Sequence, residues 1–347
     1  MPTIDASRLE RISRDVLLKM GASPDEAATV ARHQVGANLA GHDSHGIILL
    51  ATYVGRIKQG HIVPGAKLQI VRETPTTAHI DGHWGFGMVV QTKATQLAIG
   101  KAKQHMMAAV TVACQSHVGR LADYSLMAAQ EGMIGMLFCD SGRGPKVVVP
   151  FGGRDARLGT NPISIALPSN LEAPIFVDMA TSQVAANKLS VYRNRRLPIP
   201  SSWIVDREGN PTTDPADYFA GGAVLPLGGL DSGHKGYGLG AMVDVFTGIL
   251  TGLGWGLDPA ARHNDGSLFL ALNVAAFRPL DEFRAEVTEF ARFLKSSRPA
   301  QGFTEVLYPG EVEWRMRQER LRSGIPIEDK TWADIQELAA SVSVSTS

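Results

Sequence analysis

Two histidines, an aspartate and a serine lie together in the segment 41–50, GHDSHGIILL, directly before an apolar run. Histidine titrates near neutral pH, so His45 is a candidate general acid/base, and the neighbouring Ser44 could orient it or share its proton. Two other interpretations stay open: His42 and His45 could bind a metal ion, or they could be purely structural histidines. Catalytic zinc usually has three protein ligands, and no spacing such as H-E-x-x-H supplies the third. The pattern therefore favours acid/base chemistry over a metal site.

Further polar residues follow segments that are typical of buried strands. These are His117 in SHVGR, Asn161 in GTNP and Asp178 in DMATS. Ligands of open α/β sheets collect at strand ends, so these residues are expected to line one cleft, although His117 could instead cap a helix. Asn161 precedes Pro162 and is expected to be extended, with its amide held in place. Asp178 could pair with a protonated histidine or accept a hydrogen bond from a ribose hydroxyl.

A dinucleotide fingerprint of the Rossmann type is absent from the sequence. It needs G-x-G-x-x-G between a strand and a helix, with an acidic residue about twenty positions further on. The nearest match, GYGLGA at 236–241, follows the polar residues GHK rather than a strand. We predict a glycine-rich turn that enters a helix here, where free backbone N–H groups, His234 and Lys235 could bind a phosphate. A close-packed glycine cluster is the alternative.

The composition is typical of a globular protein that binds neither nucleic acid nor a membrane. The 347 residues include 34 Lys and Arg against 34 Asp and Glu, and 44% are hydrophobic. A net charge of zero offers no electrostatic footprint for nucleic acid or an anionic membrane. The most hydrophobic segment, 236–257, carries Asp244 near its centre and several glycines, which favours a buried, tightly packed helix over a transmembrane one. The N-terminus is charged and periodic rather than a signal peptide, and we expect a cytoplasmic location.

The periodicity predicts alternating helices and strands, hence an α/β fold. Ser7 with Glu10, and Ser23 with Glu26, have the spacing of capping boxes, which predicts two N-terminal helices. The runs 108–116 and 133–141 are typical of strands buried on both faces, and the helical pattern between them completes a βαβ unit. Residues 191–224 are rich in proline and turn residues and predict an excursion or small subdomain.

In their order along the chain, these motifs resemble the type-2 malate/L-lactate dehydrogenase family, which are NAD(P)-dependent 2-hydroxyacid oxidoreductases without a Rossmann fold. The matching segments span residues 41–311 and are GHDSHGI, SHVGR, GTNP, DMATS, GHKGYGL and YPGE. The first of them, followed by apolar residues, is most similar to the hydroxycarboxylate dehydrogenase branch, which reduces 2-oxo acids such as hydroxyphenylpyruvate. The resemblance implies the α/β fold of the malate/L-lactate (sulfolactate) dehydrogenases, with a mixed central sheet, helices on both faces, and a lobe of N- and C-terminal helices.

The resemblance also implies a division of the chain. Residues 1–65 with 280–347 would form the helical lobe, and residues 66–190 with 225–279 the NAD(P)-binding core, while 191–224 form the excursion. Family members form dimers, so we expect a homodimer whose only other partner is a small 2-oxo or 2-hydroxy acid.

The resemblance assigns roles to individual residues, and no metal ligand is among them. His45 matches the family's acid/base and Ser44 lies beside it. The expected contacts with NAD or NADP are His45, His117, Val118, Gly119, Arg120, Phe176, Val177, Asp178, Met179, Ala180, His234, Lys235, Asn273, Gly310 and Glu311. The expected substrate contacts are Ile48, Leu49, Arg120, Thr160 and Asn161.

The implied reaction is hydride transfer between a nicotinamide and a 2-oxo or 2-hydroxy acid, with His45 exchanging the proton. Many relatives carry an arginine three or four positions after the motif histidine, where it binds the substrate carboxylate in a bidentate fork. Ile48 and Leu49 stand there in this chain, so Arg120, Arg56 or backbone N–H groups must bind the carboxylate, and an apolar or aromatic tail is favoured. A reductase of cyclic imino acids or ureidoglycolate-like substrates, and a non-catalytic ligand-binding relative, are the alternatives.

Overall fold

The computed structural model describes residues 1–140, 142–258, 262 and 265–347. Its helices are α1 (Ala6–Lys19), α2 (Pro24–Leu39), α3 (Leu50–Lys58), α4 (Gly87–His105), α5 (Ala122–Gln130), α6 (Ala186–Asn194), α7 (Ala216–Phe219), α8 (Gly229–Asp244), α9 (Leu280–Lys295), α10 (Glu311–Ser323) and α11 (Asp329–Ser341). Its strands are β1 (Thr3–Ile4), β2 (Gln69–Glu73), β3 (Thr77–Asp81), β4 (Met107–Gln115), β5 (Met133–Asp140), β6 (Ile163–Leu167), β7 (Ile175–Met179), β8 (Ile204–Val205), β9 (Pro211–Thr212), β10 (Ala223–Val224), β11 (Asp265–Asn273) and β12 (Ile325–Pro326).

Seven strands form one mixed sheet in the order β2-β3-β4-β11-β5-β6-β7. β3 and β4 are parallel, and every other neighbouring pair in this sheet is antiparallel. The predicted βαβ unit β4–α5–β5 is present, but β11 lies between its two strands. Local periodicity could not predict this insertion, because β11 comes from a much later part of the chain. Ser141, which we included in the strand prediction 133–141, lies outside the described residues.

Helices cover both faces of this sheet, which confirms the predicted fold class. On one face, α4 presents Ala94, Ala98 and Ala102 at a four-residue spacing, so that the helix approaches the strands closely; all three are fully buried. On the other face, a π-helical turn at 245–249 continues α8 and lies against β11 and β5. The ring of Phe246 in this turn meets that of Phe138 on β5 edge-on, with 5.6 Å between ring centroids.

The two ends of the chain share a second hydrophobic core. It contains buried side chains of α1, α2 and α3 together with those of α11. β1 and β12 pair antiparallel beside it, with Ile4 opposite Ile325. α9 packs elsewhere, against Ile175 on β7. The terminal helices therefore pack together as the fold class implies, while the domain boundaries stay a prediction.

The first two helix starts differ in how well they match the predicted capping boxes. The box at Ser23 is confirmed: its hydroxyl accepts the N–H of Glu26, and the Glu26 carboxylate accepts the N–H of Ser23. The box at Ser7 is wrong, because α1 already begins at Ala6. Asp5 caps it, accepting backbone N–H groups in the first turn. Aspartate serves as an N-cap as well as serine does, so the sequence contained two competing signals.

The glycine-rich segment near residue 230 also differs from its prediction. α8 begins at Gly229, after Gly228 with a φ of 98°, so His234 and Lys235 lie inside the helix rather than in a turn before it. Only the first four N–H groups of a helix lack a partner within it. The predicted turn is wrong, and the backbone N–H groups that it was to offer a phosphate are used by the helix itself.

One face of α8 is packed and the opposite face is not. Gly233, Gly236 and Gly240 are buried, and at Gly240 a Cβ would lie 2.9 Å from the Thr181 hydroxyl. Leu239 on the other face is 42% exposed. The predicted burial of segment 236–257 thus holds only for the glycine face. No helix within the described residues is both long and apolar enough to cross a membrane.

Candidate active site

A cavity of about 280 Å³ lies at the edge of the central sheet where β5 ends and β11 begins. It gathers segments that are far apart in the sequence: the loop after α2, the turn after β4, and the ends of β5, β6 and β7. Its described lining residues are His42, Ser44, His45, His117, Val118, Gly119, Arg120, Leu121, Cys139, Asp140, Thr160, Asn161, Pro162, Asp178, Met179, Ala180, Ala185 and Asp265. Most of the residues singled out in the sequence therefore meet in one place.

The loop after α2 is held in shape by Asn38, in the last turn of that helix. Its Oδ1 accepts the backbone N–H of Ile47 at 2.8 Å, and its Nδ2 donates to Asp43 at 2.7 Å. Gly46 lies directly against this amide, since a Cβ there would be 2.5 Å from Asn38 Nδ2. Asp43 also pairs with Arg320 of α10 at 2.7 Å. Asp43 thus holds the loop, and Ser44 and His45 are left for the cavity.

Ser44 and His45 form a hydrogen-bonded pair beside a second histidine. Ser44 Oγ lies 3.0 Å from His45 Nδ1, and the His45 ring stacks on His117 with 5.6 Å between centroids. The Tyr53 hydroxyl lies 2.7 Å from His117 Nδ1. Burial raises the pKa of Tyr53, so the phenol keeps its proton, and this hydrogen bond holds the His117 ring through Nδ1. His45 Nε2 makes no hydrogen bond within the described residues and is available to a ligand.

Burial makes both imidazoles hard to protonate. It lowers the pKa of His45 to about 4, with the charges of His42 and Arg120 adding to the effect. It lowers the pKa of His117 to about 3. At neutral pH, His45 is therefore an uncharged base. A ligand anion bound nearby would favour its protonated form.

The turn after β4 is fixed by a carboxylate from β11. Asp265 Oδ2 accepts the backbone N–H of Val118 at 2.9 Å, and burial raises the pKa of Asp265 to about 7. Gly119 follows with a φ of 76°, and a Cβ there would lie 2.7 Å from the Met88 side chain. The positive φ favours glycine at this position, and a Cβ would in addition displace the end of the Met88 side chain.

The turn ends on Arg120, whose side chain is only 9% exposed. Its Nη1 pairs with Asp123 at 2.8 Å, and its guanidinium lies over the ring of Phe176, 5.2 Å from the centroid. Its Nε is buried without a hydrogen-bond partner. An unpaired buried donor on a charged group is costly unless a ligand accepts from it. The arrangement is that of an anion-binding side chain.

The ends of β6 and β7 complete the cavity wall. Asn161 has a φ of 43°, so the expected extended conformation is wrong; asparagine tolerates the left-handed region better than most residues. Its amide is nevertheless held, since Nδ2 donates to the Gly240 carbonyl at 2.7 Å. Asp178 Oδ2 accepts the N–H of Ala122 at the start of α5 at 2.8 Å, and burial raises the pKa of Asp178.

The sequence reasoning missed an acidic pair that adjoins the cavity. Asp140 and Asp244 lie 3.4 and 3.7 Å from the buried ammonium of Lys146. Burial, with a hydrogen bond to and repulsion from Asp140, raises the pKa of Asp244 to about 8. Asp140 ends a buried strand. A polar residue after a buried strand is the signal that identified His117, so Asp140 could have been identified in the same way. Asp244 could not, because it lies in the middle of an apolar segment.

Not every predicted contact reaches the cavity. Ile48 is 45% exposed, Leu49 packs toward the terminal core, and neither lines the cavity. Asn273 lies at the opposite end of β11 from Asp265, on the order of 25 Å away at about 3.3 Å per residue. Its side chain accepts the N–H of Ala275. None of these three residues lines the cavity, and their contacts with a substrate or cofactor stay predictions.

The remaining predicted cofactor contacts also lie outside the cavity. Phe176 is buried beneath Arg120, and Val177 is the next residue along β7. Gly310 packs so closely on Phe176 that a Cβ at Gly310 would lie 2.7 Å from the ring. Glu311 is bound in ion pairs with Lys295 and Arg315. His234 and Lys235 are exposed on α8. Their contacts with a cofactor stay predictions.

The cavity fits the reacting end of a nicotinamide cofactor. Asn161 Oδ1 is a buried acceptor without a hydrogen-bond partner. The amide group of a carboxamide and the hydroxyls of a ribose are donors that suit such an atom. Ligand pockets usually measure roughly 300–1,000 Å³, so this cavity accommodates a nicotinamide ring and a small acid rather than a whole dinucleotide.

Comparisons with known proteins agree with this site. The family model of the malate/L-lactate dehydrogenases matches residues 4–336. Malate dehydrogenase of Pyrococcus horikoshii is 40% identical over 336 residues, which cover 95% of this chain and 92% of the relative. Hydroxycarboxylate dehydrogenase B of Escherichia coli K12 is 34% identical over 344 residues, 97% of this chain and 94% of the relative. The crystal structure of malate dehydrogenase from Entamoeba histolytica superimposes with a TM-score of 0.93 at 32% identity, covering 99% of both chains.

The fold, the cavity and these relatives place the chain among the oxidoreductases that act on 2-hydroxy acids. It belongs to the malate/L-lactate dehydrogenase family.

Proposed function

We propose that this enzyme interconverts 2-oxo and 2-hydroxy acids that carry an apolar or aromatic tail, with His45 as the acid/base and NAD or NADP as cofactor. One observation carries the proposal: the only Arg or Lys among the described lining residues, Arg120, shares a cavity with the Ser44–His45 pair. A carboxylate bound to Arg120 would hold the adjacent C2 oxygen of the substrate in the same cavity as His45. The turn 117–120 and the strand end 178–180 are the proposed cofactor contacts.

The chain's own residues handle the substrate and the proton. A bound nicotinamide donates or accepts the hydride. Arg120 fixes the substrate carboxylate, and its Nε gains the partner that it otherwise lacks. In the oxidising direction, neutral His45 takes the hydroxyl proton at Nε2. In the reducing direction, the imidazolium returns that proton to the developing alkoxide, while Ser44 holds Nδ1.

The charges around the cavity favour one carboxylate over two. Asp140, Asp178 and Asp265 line it beside the single guanidinium, and the nearby Lys146 ammonium is already paired with Asp140 and Asp244. A second carboxylate would lie among these acids without a cationic partner, and an unpaired buried charge is costly. The apolar lining residues Val118, Leu121 and Met179 would instead contact an apolar tail.

Substrate preference tests this proposal. We expect kcat/KM for phenylpyruvate to exceed that for oxaloacetate by about 10-fold or more, because the second carboxylate stays unpaired. Both acids are assayed with NADH and with NADPH by loss of nicotinamide absorbance. Pyruvate serves as the control that lacks both the tail and the second charge. A preference for oxaloacetate would overturn the proposed substrate class, and reduction of a cyclic imino acid alone would favour the alternative reductase.

The pH dependence should differ between the two directions. Because kcat/KM reports the free enzyme, and the pKa of His45 there is about 4, oxidation should be independent of pH above about 5 and fall below 4 as the base becomes protonated. Reduction needs the imidazolium, so its kcat/KM should fall about tenfold per unit as pH rises above about 5. Initial rates from about pH 3 to 9 test both profiles. A reduction profile that is flat up to pH 7 would contradict the assignment.

We further propose that the enzyme is a cytoplasmic homodimer. In the segment after α8, Ile249, Leu250, Trp255 and Leu257 are between 53% and 74% exposed. Exposed apolar surface of this extent usually marks an interface. Cys114 and Cys139 are free thiols, the state that a reducing compartment maintains.

A further inference from the structure

Behind Arg120 lies a second ion pair that the acid/base chemistry does not use. Asp123 accepts from Arg120 Nη1 through Oδ1 at 2.8 Å and faces His33 Nδ1 through Oδ2 at 3.0 Å. The side chains of His33, Asp123 and Arg120 are 8%, 18% and 9% exposed. His33 comes from α2, Asp123 from the first turn of α5 and Arg120 from the turn before it, so the three join the helical lobe to the cavity wall.

The carboxylate of Asp123 defines which nitrogen of His33 donates toward it. Asp123 is ionised, because a hydrogen bond from His33 and the charge of Arg120 lower its pKa against the opposing effect of burial. A carboxylate only accepts, so His33 Nδ1 must donate. The other ring nitrogen, Nε2, lies 3.3 Å from the Thr92 hydroxyl, which holds the ring from its far side.

The three groups therefore form a hydrogen-bonded row of imidazole, carboxylate and guanidinium. Asp123 neutralises Arg120 in part and holds one of its two terminal nitrogens, while the Phe176 ring supports the guanidinium plane. His33 fixes the carboxylate from behind and stacks on Tyr124, with 5.2 Å between centroids. The guanidinium is thereby held with Nε unpaired, before any ligand arrives.

We propose that Asp123 and His33 are positioning residues that orient Arg120 for the substrate carboxylate. This inference rests on the proposed function and identifies how this chain binds the carboxylate without an arginine after the motif histidine. Asp123 acts directly on Arg120, and His33 acts through Asp123. Neither residue lines the cavity, so neither contacts the substrate.

The test is a split between KM and kcat in two variants. Asp123→Asn keeps the shape but turns an amide N–H toward either Arg120 or His33, so we expect KM for phenylpyruvate to rise about 10-fold or more. We expect kcat and the affinity for NADH, measured by fluorescence quenching, to stay within about 2-fold, because His45 keeps its hydrogen bond to Ser44 and its place in the cavity. The methyl ester of phenylpyruvate has no negative charge, so its KM should be the same in the variant and the wild type.

Variants of His33 give a second, independent test. His33→Asn retains an N–H donor near the position of Nδ1, whereas His33→Ala retains none. We therefore expect the KM for phenylpyruvate to rise in the alanine variant and to rise much less in the asparagine variant. A purely structural role would not give this rescue. The His33 pair decides the question if Asp123→Asn does not fold.

The outcomes separate this inference from the proposed function. Suppose that the wild-type enzyme reduces 2-oxo acids. If folded Asp123→Asn then has an unchanged KM, or if its KM rises equally for the acid and the ester, the positioning role alone is overturned. A wild-type protein that reduces no 2-oxo acid would overturn the proposed function and this inference with it.

Discussion

Replacing His45 with alanine is expected to lower kcat about 10²–10⁴-fold, the usual contribution of a positioned acid/base, while the protein still binds reduced cofactor. The change removes the one free imidazole nitrogen beside Ser44. His117 differs from His45 in that its Nδ1 is held by the Tyr53 hydroxyl, and we expect it not to replace the lost imidazole. The measurement is kcat in both directions, with NADH fluorescence quenching to show that binding persists.

Two variants serve as controls for His45. His45→Gln keeps a polar side chain of similar size but cannot exchange a proton, so it should be as inactive as the alanine variant. Ser44→Ala removes only the partner of Nδ1, 3.0 Å away, and should cost about 10-fold or less. A His45→Ala enzyme that turns over at half the wild-type rate would disprove the role of His45.

Gly46→Ala is expected to disrupt the catalytic loop, lowering kcat/KM about 10-fold or more and the free energy of unfolding by about 1–3 kcal/mol. A Cβ at Gly46 would lie 2.5 Å from Asn38 Nδ2 and closer still to Asn38 Oδ1 and Cγ. The amide would have to move. The Ile47 N–H, which is buried, and Asp43 would then lose the hydrogen bonds that shape the loop. Denaturant unfolding and steady-state kinetics measure the two effects.

Gly36→Ala is the matched control for this variant. Gly36 lies inside α2, where a Cβ would meet no atom within 4 Å. There the same change should stabilise the helix by about 0.5–1 kcal/mol and leave kcat unchanged. Two variants that behave alike would show that Asn38 does not depend on Gly46.

The fold class could be predicted because its signals are local or are carried by a family pattern. The capping box at Ser23, the helix 24–39 and the buried strands β4 and β5 all follow from residues close in sequence. The position of β11 could not be predicted, because strand order depends on contacts between distant segments. The predicted start of α8 was wrong because glycines are typical of a turn. In the structure, the close packing of these glycines against Leu227 and Thr181 favours a helix.

The site was predicted in part, and for a physical reason. Residues that present polar groups at strand ends, such as His117 and Asp178, carry a signal in their own neighbourhood. Asp123 and His33 carry none, because each looks like an ordinary helix residue until the fold brings α2 and α5 together. Asn161 shows the limit of local rules. The following Pro162 disfavours the left-handed backbone conformation of Asn161, but the hydrogen bond from its side chain to the Gly240 carbonyl holds it there.

The transfer of hydride to a 2-oxo acid is tested most directly with reduced nicotinamide cofactor that carries deuterium at both C4 positions. The enzyme is given phenylpyruvate, and the product is analysed by mass spectrometry. We expect one deuterium at C2 of the 2-hydroxy acid for each cofactor oxidised. A product without deuterium at C2, or cofactor and acid that bind without reacting, would contradict it.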